Sequence, residues 1–103
     1  MIIIRSKNNV PIRLSEERWE HITTRHPEME MQKDLITNTL LNPEVILKGD
    51  FGELMACKSF PKTPLTQKFL IVVYKEVSKD DGFVLTAYFT NKYSERREVI
   101  WKQ

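Results

Sequence analysis

The chain has 103 residues, 41% of them apolar and 29% charged, with sixteen Lys and Arg against fourteen Asp and Glu. That is one domain, residues 1–103, with a modest core, and the net charge of +2 is too small to announce nucleic-acid binding unless cations cluster locally. Cys57 is the single cysteine, so no intramolecular disulfide forms, and one Cys with two His makes a structural zinc site a poor fit.

Ile2–Ile4 is too short for a signal segment and runs at once into Arg5 and Lys7, and no run reaches the length of a membrane span. The expectation is a cytoplasmic protein with no membrane association. Asn8-Asn9 is a turn signal between Ile2–Ile4 and Val10–Leu14, where Pro11 points to an edge strand or an extended lead-in.

Ser15 to Glu28 carries both histidines and a complete set of helix signals. Ser15 is a good N-cap, Glu16 and Glu17 put negative charge in the first turn, and Pro27 ends the helix at His26. At about 100° per residue, Ser15, Trp19, Ile22, Thr23 and His26 share the packing arc. Arg18, His21 and Arg25 form a basic edge beside it, and Glu16, Glu17, Glu20 and Thr24 face solvent. His21 and His26 are five apart, about 140° around the helix, so they do not face one substrate together.

A second helix is expected around Leu35, Ile36, Thr39 and Leu40, stopped by Asn42-Pro43. From there the period becomes strand-like: Glu44–Lys48, Glu53–Phe60, a loop framed by Pro61 and Pro64, then the apolar Gln67–Glu76. Asp80-Asp81-Gly82 reads as a hairpin turn. Phe83–Thr90 alternates, with Phe83, Leu85, Ala87 and Phe89 on one face and Val84, Thr86, Tyr88 and Thr90 on the other. The tail from Ser94 to Trp101 fits a short helix or an edge strand. These elements predict an α+β domain: N-terminal helices packed on one face of a C-terminal antiparallel sheet of about four strands. The uniformly apolar Phe69–Tyr74 then requires that the second face either binds something or is covered.

Two His, clustered Arg and a row of hydroxyls are parts for cleaving RNA without a metal or cofactor. That reaction needs a base for the ribose 2′-hydroxyl, an acid for the leaving oxygen and cations around the phosphorane. His26 is the candidate proton-transfer group, and Arg25 or Arg18 a phosphate clamp. Tyr88, Thr86 and Thr90 are candidate donors, with His21, Lys58 and Lys68 as further substrate contacts. A hydrogen-bonded C-terminal histidine would also account for His26, and pairing with Glu17, Glu20 or Glu28 would account about as well for Arg18 and Arg25.

The segments R-W-E-H-I, R-H-P-E, T-L-L-N-P-E-V-I, F-L-I-V-V-Y-K and F-V-L-T-A-Y-F-T, spanning about Leu14 to Thr90, resemble the phage-associated branch of the barnase, EndoU, colicin E5/D and RelE-like nuclease superfamily. The resemblance implies a metal-independent endoribonuclease fold, used by toxins that cut transfer or messenger RNA. It points to His26, with Arg25 and His21, on the helix, and to Thr86 and Tyr88 on the strand. An antitoxin or immunity protein is then the expected partner. The alternatives are a catalytically inactive RNA- or protein-binding module of the same fold, and a small-ligand domain with a pocket over Tyr74 and Tyr88.

Overall fold

The computed structural model describes residues 1–64, 66 and 68–103. The chain opens with a hairpin, β1 (Ile2–Arg5) and β2 (Pro11–Leu14), rather than with helices. Asn9 takes the left-handed turn conformation at φ 64°, which asparagine tolerates. Helix α1 (Glu16–Arg25) follows, then a 3-10 turn at Pro27–Met29 and α2 (Lys33–Leu41). The remaining strands are β3 (Val45–Lys48), β4 (Leu54–Ser59), β5 (Phe69–Ser78), β6 (Asp81–Thr90) and β7 (Val99–Lys102). The expected start of β5 at Gln67 lies outside the described residues.

The seven strands found among the described residues join one sheet in the order β1-β2-β6-β5-β4-β3-β7. This corrects the expected architecture of N-terminal helices on an antiparallel sheet of about four strands: the sheet is mixed, strand makes up 42% of the chain, and helix only 22%. The parallel contact is β2 on β6, with Ile12 opposite Gly82 and Arg13 opposite Phe83. Pro11 accordingly stands at the start of an interior strand, and β1 is the edge. A side chain on Gly82 would collide with the Lys75 carbonyl and the Ile12 side chain, so this glycine serves the close approach of β2. The turn itself falls on Lys79 and Asp80.

The sheet curls. Lys7, in the β1–β2 turn, lies 5.0 Å over the ring of Trp101 in β7, although β1 and β7 are opposite edges. Helix α2 packs on β1, β4 and β5 and brings Ile36, Thr39 and Leu40 into the core at 0% exposure. Ile12, Leu14, Ile22, Leu70, Val72, Tyr74, Val84 and Ala87 belong to the same helix-side cluster.

Strand β6 does not alternate as its sequence predicts. Val73 pairs with Thr86 and Tyr74 with Val84, so Leu85 is a bulged extra residue. The bulge reverses the faces: Val84, Ala87 and Phe89 enter the helix-side core, and Leu85 does not. The second face is covered in part. Val45, Leu47, Met55, Cys57 and Ile71 form a second cluster there, joined by Val73, Tyr88 and Tyr93. Tyr93 lies in the segment joining β6 to β7 and meets Phe69 edge-on at 5.5 Å between ring centroids. The tail is an edge strand beside β3.

Candidate active site

Helix α1 positions the site through local signals. Ser15 Oγ accepts from the Arg18 backbone N–H at 3.1 Å, and the His26 N–H donates to the Ile22 carbonyl at 2.7 Å to close the last turn. Ile22 is buried and Trp19 packs on the same cluster, its outer side covered by Lys33 Nζ at 5.1 Å from the ring. Because β2 pairs with β6 only at Ile12 and Arg13, the rest of that β6 edge is left to α1. Arg18 Nη1 donates to the Leu85 carbonyl on this edge at 3.3 Å.

The helix exit therefore arrives beside Tyr88. The His26 and Tyr88 rings lie 5.7 Å apart between centroids, tilted by 32°. Glu28 Oε2 stands 3.7 Å from His26 Nδ1, so a carboxylate flanks the imidazole. Tyr88 projects onto the second face of the sheet, opposite Ile71. Burial pushes its phenol above the ordinary tyrosine range and Cys57 adds to the shift, while Arg97 opposes it. At neutral pH the hydroxyl is thus a proton-bearing donor. Thr86, two residues earlier on the same strand face, is half-buried. Arg25 is exposed and has no ion pair or side-chain hydrogen bond among the described residues.

Arg97 and Glu28 were missed as site residues. Arg97 forks onto Asp50 at 2.9 and 3.3 Å and donates to the Lys48 carbonyl at 3.3 Å, pinning the segment that crosses the second face. Hydrogen bonding and charge from Arg97 hold the Asp50 carboxyl below its ordinary value. The Arg96-Arg97 doublet and the spacing of Glu28 two residues past His26 were the available signals.

The other expected contacts do not converge on this point. Lys58 Nζ caps the Asn42 carbonyl at the end of α2, at 2.7 Å, on a residue paired with core Leu70. Lys68 Nζ donates to the Pro61 carbonyl and Thr90 Oγ1 to the Lys92 carbonyl. His21 is exposed and lines, with Ser15, Glu17 and Arg18, a separate shallow pocket of about 340 Å³. The alternative pairing of Arg18 or Arg25 with Glu17, Glu20 or Glu28 is not found among the described residues. Cys57 is buried and its thiol is pushed up to about 12, chiefly by desolvation and then by Glu44, which rules it out as a nucleophile near neutrality. Among the described residues, no three His, Cys, Asp or Glu side chains gather where they could hold a metal ion, and no helix is long and apolar enough to cross a membrane.

No family model, no curated protein and no solved structure matches the chain.

Proposed function

We propose that the protein is a metal-independent endoribonuclease acting in the cytoplasm on transfer or messenger RNA. The observation that carries this reading is the His26 ring set against Tyr88, with the Glu28 carboxylate beside its Nδ1. His26 accepts the proton of the ribose 2′-hydroxyl, and the freed oxygen attacks the adjacent phosphorus. The bond from phosphorus to the 5′-oxygen breaks, that oxygen takes a proton from solvent, and a 2′,3′-cyclic phosphate remains. Tyr88, kept protonated by burial, donates to a non-bridging oxygen, with Thr86 as its neighbour on the strand. Arg25, with no partner of its own among the described residues, folds onto the phosphate. If the protein is a toxin, its antitoxin or immunity protein covers this site.

The test is cleavage of transfer-RNA and messenger-RNA pools in EDTA, with His26→Ala beside the wild type. We expect products ending in cyclic phosphate and a loss of at least roughly 100-fold in the variant, with an unchanged circular dichroism spectrum. A folded wild type that cuts neither pool would leave a catalytically inactive RNA- or protein-binding module as the better reading.

A further inference from the structure

At the other end of α1 the structure holds a second arrangement of cation and aromatic ring. Arg13 and Phe83 face each other across the parallel pairing of β2 with β6. Asp81 accepts from Arg13 Nε at 2.9 Å and from Nη2 at 3.2 Å, which fixes the guanidinium with its Cζ 6.0 Å from the Phe83 ring centroid. Phe83 is only half-buried. Beside it opens a hollow of about 330 Å³ whose lining includes Arg13, Ser15, Arg18 and Phe83. Ser15 and Arg18 also line the pocket that holds His21, so the two hollows adjoin through Arg18.

From that junction the basic edge of α1, Arg18, His21 and Arg25, leads to His26. Arg18 spends its hydrogen bond on a neutral carbonyl, and Arg25 has no partner among the described residues, so both positive charges are unneutralised. Glu17 is the one acid in the lining beside His21. Phe83 and Tyr88 stand opposite Lys75 and Ile71, four steps apart on β5 because Leu85 is bulged, so about 13 Å of strand separates them, which is room for a short stretch of extended chain.

We infer that the Phe83–Arg13 hollow is a subsite for single-stranded RNA: a base stacks on Phe83, and flanking phosphates lie on Arg18 and the α1 edge leading to His26. The inference rests on the ribonuclease reading for its direction, but it concerns binding and is tested by binding. A partly open ring followed by a row of cations is the combination that holds a single strand without reading its sequence. Duplex RNA does not suit it, because a paired base cannot reach the ring.

The probe is a fluorescent 2′-O-methyl oligoribonucleotide of about ten nucleotides, within the range of sites used by single-strand-binding surfaces. It cannot be cleaved, and its anisotropy reports affinity across a salt series. Phe83→Leu keeps an apolar side chain and removes the stacking face, and we expect it to weaken binding roughly five- to hundred-fold. Arg18→Gln should lower the salt slope by about 0.7, the value of one phosphate contact on a single strand. Unchanged affinity and slope in folded variants would overturn the subsite, as would a wild type that does not bind the oligonucleotide. Phe83-dependent binding by a protein that never cleaves RNA would support the subsite while removing the ribonuclease reading. Cleavage of a ten-nucleotide RNA by Phe83→Leu at the wild-type rate, with unchanged affinity, would do the reverse.

Discussion

Tyr74 and Tyr88 sit on adjacent strands, and their hydroxyls meet opposite fates. Tyr74 is 0% exposed in the helix-side core, and its hydroxyl has no hydrogen-bond partner among the described residues. Burial raises its pKa far above the ordinary value, and Glu76 adds to that. A buried hydroxyl without a partner loses the water it had in the unfolded chain and gains nothing in return. Tyr74→Phe removes the hydroxyl and keeps the ring, so it should raise stability by about 1 kcal/mol, measured as the urea midpoint at constant slope. A lower midpoint would show that the hydroxyl is bonded in solution. Tyr88 instead opens toward His26. The two ends of this contact follow from local patterns, since Pro27 stops α1 at His26 and Tyr88 falls in a strand pattern, but their meeting 62 residues apart does not. Nor does that of Arg97 and Asp50, because 47 residues separate them and only the finished sheet brings them together.

Among the elements, α1 is the one whose bounds the sequence dictates most completely. Its cap, its first-turn acids and its stop at Pro27 all act within one or two turns, so no tertiary information is needed. Ser15→Ala leaves the Arg18 N–H without its acceptor and should cost about 1 kcal/mol of stability; Ser15→Asp should restore most of it. Equal denaturation midpoints for all three proteins would mean that the cap contributes nothing. Strand β6 marks the limit of such reasoning. Its apolar alternation is regular in the sequence, yet the bulge at Leu85 reverses it halfway. A bulge is a property of two strands together, and the pattern of one strand does not contain it. The same holds for the segment before β7: Tyr93 earns its place only against Phe69, and nothing local marks it as a cover for the second face.

For the whole molecule, the fold class was misread because the deciding contact is distant. Ile12 meets Gly82 across 70 residues in a parallel pairing that no hairpin signal announces, and it turns an apparent lead-in into an interior strand. What the sequence did convey, through the apolar run Phe69–Tyr74, was that the second face either binds something or is covered; it did not say which. That face buries Cys57, and this sets how the molecule responds to alkali. In the unfolded chain the thiol titrates from its ordinary 9.0, whereas in the fold it is held at about 12 by burial. Folding therefore favours the protonated thiol, so its contribution is whole below pH 9 and is lost as the pH rises toward 12. Each proton kept by the folded state alone costs about 1.4 kcal/mol of stability per pH unit. Tyr74, raised in the same sense from 10.0, adds a second loss at higher pH. Urea midpoints should be flat in this respect up to about pH 9 and fall beyond it. Cys57→Ala, whatever its effect at neutral pH, should delay the fall toward the onset set by Tyr74. A folded wild type whose thiol reacts at once with a maleimide at pH 8, or whose midpoint does not fall between pH 9 and 10, would place Cys57 in contact with water and dissolve the second core as described.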